Sequence, residues 1–234
     1  MYLFWMETHI IVSSDYTEFA PRHDMSPKEW FIKAYDFSHL FYSHEIQRAL
    51  AVKWEAVTPD IFFKEYVWVV HATGFSAKAV SKFINPLLEA YGSYHILADE
   101  NENICLPRIL NVCNNVQKAK AVKRTAGILK KGTKECGWED FKKAHLSSVN
   151  ILSKLPYIGN ITKYHLGRNI GMLDCVKPDL HLIRMCKYWG YESCEQMICE
   201  ISSGYDLPNG ISDMIAWYYA STFGTYYMKK EGER

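Results

Sequence analysis

The 234 residues carry 27 Lys+Arg against 26 Asp+Glu, with 48% hydrophobic and 23% charged residues, an ordinary balance for a soluble chain of one large or two small domains. The longest apolar runs, such as 66–70, fall far short of the ~18 residues that cross a bilayer. The apolar residues 1–5 lack a basic flank and Glu7 follows at once, so they do not read as a signal peptide.

Seven cysteines lie between 105 and 199 without paired spacing, which fits a reducing intracellular compartment. The chain reads as helix after helix. Ser26-Pro27-Lys28-Glu29 is a capping box with proline at the first helical position, and an apolar period runs from it to about 56. Thr58-Pro59 starts a helix through 70. Ser76 starts another, 77 to about 91, which Pro86 should kink. Residues 92–108 read as irregular. A basic amphipathic helix over 115–131 ends at Gly132. Short helices follow at 138–146 and 150–155, then 160–170, 179–189 stopping at Gly190, 193–203 and 211–228. Period-2 strand runs bounded by turns are missing, so the expected class is all-α.

The near-zero net charge hides an asymmetry. Residues 101–170 hold 13 Lys+Arg against 4 Asp+Glu, or +9, and the rest of the chain carries −8. Lys118, Lys120, Lys123, Arg124, Lys130, Lys131 and Lys134 crowd one 17-residue run. A solvated helix face accounts for such a run, and so does a polyanion partner, since Lys and Arg release counterions from phosphates.

The stretch Leu155-Pro156-Tyr157-Ile158-Gly159 reads as a tight corner between two helices, with Gly159 supplying positive φ or close backbone approach. The next helix would offer free N–H groups to a phosphate. Asn160, Thr162 and Lys163 stand beside it with no carboxylate. Taken alone, the corner is equally an ordinary αα-turn. Twenty residues after Gly159, Asp179 follows Pro178 at a helix start, a place the macrodipole favours for any carboxylate. A phosphate grip followed at this distance by a carboxylate places that carboxylate near the gripped nucleotide.

On these residues the sequence resembles the helix-hairpin-helix DNA glycosylases, the superfamily of endonuclease III, the adenine glycosylases and 8-oxoguanine glycosylase. Residues 155–159 look like the family's Leu-Pro-Gly-Val-Gly. Pro178-Asp179-Leu180-His181-Leu182-Ile183-Arg184 looks like the Val-Asp-Thr-His-Val-x-Arg segment that bears the catalytic aspartate. The 18-residue step from Ile161 to Asp179 equals the lysine-to-aspartate step of endonuclease III. Weaker likeness extends over roughly 60–228. The wording of 161–184 also resembles the alpha-glutamyl/putrescinyl thymine pyrophosphorylase branch, found in bacteria and phages with modified DNA bases.

The resemblance implies an endonuclease III-like fold of two helical subdomains with the hairpin at their junction. The first is a barrel over 60–165; the second comprises 1–59 plus 166–234. It implies Asp179 as the catalytic residue. Ile161 occupies the slot of the Schiff-base lysine and has no nucleophile. Lys163 lies about 200° around the helix from it. A monofunctional glycosylase is therefore expected. No iron–sulfur cluster is expected, because the four-cysteine loop is missing. DNA contacts are expected from Pro156, Tyr157, Gly159, Asn160, Thr162, Lys163, Lys118, Lys120 and Lys123. Phe75, in Thr73-Gly74-Phe75-Ser76, would be an apolar wedge or a buried loop anchor. Trp30, Tyr42, His44 and Trp54 are candidates for the base pocket. The carbonyls of Ser153, Leu155 and Ile158 would hold Na+ or K+, with no other cofactor. The expected partners are DNA and a downstream abasic-site endonuclease. The chain is expected to be monomeric, without a membrane, and nucleoid-associated in the cytoplasm if bacterial or phage-encoded. A transferase acting on a hypermodified thymine-type base and a non-catalytic DNA-binding module are the competing readings.

Overall fold

The computed structural model describes residues 16–75, 77–225 and 228. Ser76, residues 1–15 and part of the expected 211–228 helix lie outside them. Among the described residues there are helices and no strands. In chain order these are α1 Pro27–Phe41, α2 Ser43–Ala51, α3 Pro59–Ala72, α4 Ala77–Ser81, α5 Ile84–Tyr91, α6 Tyr94–Asp99, α7 Glu102–Val112, α8 Val116–Cys136, α9 Trp138–Leu146, α10 Val149–Leu152, α11 Thr162–Asn169, α12 Leu180–Trp189, α13 Cys194–Ile201 and α14 Asn209–Phe223. Short 3-10 turns cover Tyr16–Phe19 and Trp54–Ala56. No described helix is long and apolar enough to cross a membrane.

The side-chain caps stand where the sequence puts them. Ser26 and Glu29 close a reciprocal box at α1. Thr58, Asn115 and Ser193 each accept a first-turn N–H of α3, α8 and α13, which satisfies donors that a helix start otherwise leaves orphaned.

Three expectations fail for local reasons. Residues 92–108 are not irregular but carry α6 and most of α7, whose Cys105 and Ile109 are fully buried. Burial of that stripe outweighs the hydrogen bond lost at Pro107 inside α7. Pro86 does not kink one long helix. It is the third residue of the separate helix α5, where its missing N–H has no intrahelical partner to lose. Gly132 does not end α8. A Cβ there would stand 2.1 Å from the Phe141 ring, so glycine lets α9 lie against α8, and the helix ends at Gly137 with φ 80°.

The chain divides into two compact units. One spans Lys53–Ile170 and the other comprises residues 16–52 with 171–225. In the first, α8 packs against α3, α6, α7 and α9, and α3 also packs on α11. In the second, α14 is buried along most of its length and takes α1, α2, α12 and α13 around it.

Candidate functional site

The hairpin belongs to the first unit. Helices α10 and α11 pack together, and the turn between them is closed by the Ile158 N–H on the Leu155 carbonyl at 3.1 Å. The left-handed residue of the turn is Tyr157, φ 63°, and not Gly159. A side chain in that region costs about 1–2 kcal/mol relative to glycine. The neighbouring structure holds it there. Buried Tyr66 of α3 donates its hydroxyl to the Pro156 carbonyl and, at 3.5 Å, to that of Ala121. Burial pushes the Tyr66 hydroxyl well above the ordinary phenol range, so it remains a donor. The expected close backbone approach at Gly159 is absent too, since a Cβ there would meet only the Thr162 hydroxyl, at 3.9 Å.

Around this turn the polar groups divide into engaged and free. The Thr162 hydroxyl accepts the Gly159 N–H at 2.7 Å, so it braces the turn rather than reaching outward. Lys163 donates to Asn150 Oδ1 at 2.9 Å and lies 5.0 Å over the Tyr164 ring. Gly159 and Asn160 are exposed and Pro156 is half-buried. Among the described residues, the N–H groups of Asn160, Ile161 and Thr162 have no acceptor. Three adjacent free donors at the start of α11 form an anion-binding arrangement. The Ile161 side chain is exposed. The carbonyls of Ser153 and Ile158 accept no hydrogen bond among the described residues, whereas that of Leu155 is shared with Ile158. Backbone oxygens of this kind suit a hard monovalent cation.

The basic helix α8 departs most from the expectation. Lys118 is 2% exposed and donates to the carbonyls of His71 at 3.1 Å and Thr73 at 2.6 Å. It is an internal tie at the end of α3, not a phosphate contact. Burial lowers its pKa from the ordinary lysine value. Lys123 donates to the carbonyls of Leu97 and Glu100 at 3.0 and 2.5 Å and so caps the end of α6. Lys120 remains at the surface, 3.8 Å from Glu102. Phe75 is not a buried anchor: it is 49% exposed, with the Lys118 ammonium 4.7 Å from its ring centre. The same ammonium lies 6.0 Å from the ring of Tyr157.

Asp179 belongs to the second unit and caps α12. Its Oδ1 accepts the N–H groups of His181 at 3.0 Å and Leu182 at 3.1 Å. Oδ2 makes no hydrogen bond among the described residues, which leaves one oxygen of a fixed carboxylate for chemistry. The approach to it is clamped by α14. Buried Asp213 accepts the Lys177 N–H at 2.7 Å, and the Gly210 N–H donates to the Leu173 carbonyl at 2.6 Å. His181, on the first turn of α12, meets the Thr225 hydroxyl at 3.1 Å, and burial lowers its pKa. The sequence reading missed Tyr66, Gly210 and Asp213, because an isolated tyrosine, glycine or aspartate in a helix carries no sign of a distant partner.

Two of the proposed base-pocket residues are packed into a core. Trp30 is 1% exposed, with Tyr219 edge-on at 4.8 Å and Trp189 at 5.7 Å. Tyr42 is buried and stacks on Tyr218 at 4.1 Å. Both are core rings with no face to offer a base. Trp54 lies in the first unit with Lys142 5.3 Å over its ring, and His44 is exposed on α2.

The structure is similar to that of the 8-oxoguanine DNA glycosylase of Thermotoga maritima, with a TM-score of 0.59 and 17% identity; the match covers 84% of this chain and 98% of the other. The chain has the fold of that glycosylase. No family model matches the sequence, and no curated protein matches it.

Proposed function

We propose that this chain is a monofunctional DNA glycosylase. It takes a modified or damaged base out of the stack and hydrolyses its N-glycosidic bond, leaving an abasic site for a separate endonuclease. The observation that carries the reading is Asp179: in a chain of glycosylase fold, a carboxylate with one oxygen pinned and one free stands 18 residues after the position of a missing lysine.

The free N–H groups of Asn160, Ile161 and Thr162 grip a backbone phosphate, and Lys154, exposed at the start of the same hairpin, adds positive charge. The Ser153 and Ile158 carbonyls, with that of Leu155, would hold Na+ or K+, which supplies charge to the same grip. As the glycosidic bond breaks, positive charge develops on the sugar and Asp179 stabilises it. Asp179 then orients the attacking water and takes its proton. Water oxygen bonds to the anomeric carbon, and the base leaves with the bonding electrons and acquires a proton. Ile161 cannot form an imine with the opened sugar, so the strand stays intact. The wording of 161–184 favours a base carrying a deliberate bulky modification, which makes defence against phage DNA a role for the enzyme beside repair.

Incubation with a panel of modified DNAs, phage genomes included, tests this. The expected result is free base, strand breaks only after alkali, and no adduct trapped by borohydride. A trapped adduct through Lys163 overturns the monofunctional reading. Mass gained on a base, instead of base lost, indicates a transferase. Binding without either change, the same in wild type and Asp179→Asn, indicates a non-catalytic module.

A further inference from the structure

The turn proposed to grip the phosphate carries a side chain, that of Tyr157, which is expected to touch DNA but has no part in the grip or in the chemistry. Tyr157 is the one non-glycine residue with positive φ among the described residues. The turn is held in that conformation by the Tyr66 hydroxyl on the Pro156 carbonyl and by the Ile158 N–H on Leu155, so glycine would fit it without strain. A strained position persists where its surroundings over-determine it, and an observed outlier points to a use. The ring of Tyr157 makes no aromatic contact among the described residues, and its one charged neighbour is the Lys118 ammonium at 6.0 Å. The residue is 42% exposed, and its hydroxyl has no hydrogen-bond partner among the described residues.

A second half-exposed ring stands near it. The Lys118 ammonium, fixed by the carbonyls of His71 and Thr73, lies 4.7 Å from the ring centre of Phe75 and 6.0 Å from that of Tyr157. One immobile cation thus sits beside both rings, on the unit that also carries the three free N–H groups of the hairpin. Aromatic faces beside a phosphate grip are the combination that takes an unpaired nucleobase by stacking while its backbone is held. Every base has a π-face, so such a platform is tolerant of sequence and selective for bases without a pairing partner.

We propose that Tyr157, with Phe75, is a stacking platform for an unpaired nucleobase adjacent to the phosphate gripped by the hairpin. It makes the protein prefer locally unpaired DNA to a perfect duplex. The proposal rests on the hairpin being a DNA grip, as in the function proposed above, but it does not depend on Asp179 or on any base being released.

The test is equilibrium binding of the full chain to two labelled duplexes, one fully paired and one with a single bulged 2-aminopurine. Wild type should bind the bulged duplex more tightly and quench the 2-aminopurine. Tyr157→Gly relieves the backbone strain, so it should melt no lower than wild type. It should nevertheless lose about 5- to 100-fold in affinity for the bulged duplex, lose the quenching, and change less than twofold on the paired one. Tyr157→Phe keeps the ring and should keep both. Equal affinity of wild type for the two duplexes, or a Tyr157→Gly variant that loses affinity for both alike, overturns the platform and leaves the glycosylase reading standing. No binding of wild type to either duplex overturns the grip, and with it both proposals.

Discussion

Substituting Gly210 by alanine should unlatch the segment that leads to Asp179. Gly210 is the second residue of α14, and its N–H donates to the Leu173 carbonyl at 2.6 Å. A Cβ there would lie 2.6 Å from that oxygen and 2.9 Å from the Cys175 oxygen. An ordinary C···O approach is about 3.3 Å, so the Leu173 carbonyl must retreat by roughly 0.7 Å and the Cys175 carbonyl by roughly 0.4 Å. These are backbone atoms and cannot rotate away. Overpacking of this kind costs about 1–3 kcal/mol, and the broken hydrogen bond adds about 1 kcal/mol. Helix propensity works the other way, favouring alanine by about 1 kcal/mol. The clash wins, leaving a loss of about 1–3 kcal/mol. For a chain of this size that lowers the melting temperature by roughly 2–12 °C. The displaced segment continues through Lys177, whose N–H is held by Asp213, to Asp179. Misplacing a reacting group by an ångström costs about 100-fold, so base release by the folded variant should fall by about 10- to 100-fold. Calorimetry followed by a base-release assay well below the melting point reads both. A Gly210→Ala protein that melts at or above the wild-type temperature with full activity would show that α14 does not hold this segment.

Two further perturbations bear on the first unit. Tyr66→Phe removes the donor that holds the Pro156 carbonyl; losing the partner of this part-buried acceptor costs about 1–2 kcal/mol. The variant should melt several degrees lower and, relative to wild type, speed amide exchange more at Ile158 and Gly159, whose N–H groups are bonded within the turn, than in the middle of α8; the same change at both places would contradict this. His71, bonded to the Tyr91 hydroxyl at 2.8 Å, is pushed down to about 3 by burial and by the Lys118 charge. It stays neutral in the fold, whereas the unfolded chain takes up the proton near pH 6.5. The stability it contributes is therefore full above pH 7 and is lost as pH falls, by about 2 kcal/mol between pH 7 and pH 5. Urea midpoints of wild type and His71→Gln at the two pH values isolate this from His181, which shifts in the same direction. Equal pH dependence in the two proteins would refute it.

The elements with local signals were legible in the sequence. Ser26, Thr58, Asn115, Asp179 and Ser193 each cap a helix with their own side chain, a contact made within three residues. The hairpin could be placed, but its strained residue could not: residue type offers Gly159 for positive φ or a close backbone approach, whereas Tyr157 takes the positive φ by position. Lys118 was misassigned although a signal existed. Residues 118, 122, 125 and 129 repeat at helical spacing, and all four are buried; a lysine on that stripe points inward with the rest. The contacts to Tyr66 and Asp213 cross 90 and 36 residues of chain, and no periodicity reports them. Aromatic content could not separate a base pocket from a core, and Trp30 and Tyr42 proved to be core.

In the proposed function Asp179 does the chemistry and the hairpin does the holding. Base release by wild type and Asp179→Asn, on a modified DNA that wild type processes, with affinity measured on the same DNA, addresses it directly. Asparagine still has an oxygen to cap α12, so the variant should fold and bind within about threefold of wild type, while losing at least about 3 kcal/mol of transition-state stabilisation, a drop of 100-fold or more in rate. Release at the wild-type rate by Asp179→Asn would rule out Asp179 as the catalytic group.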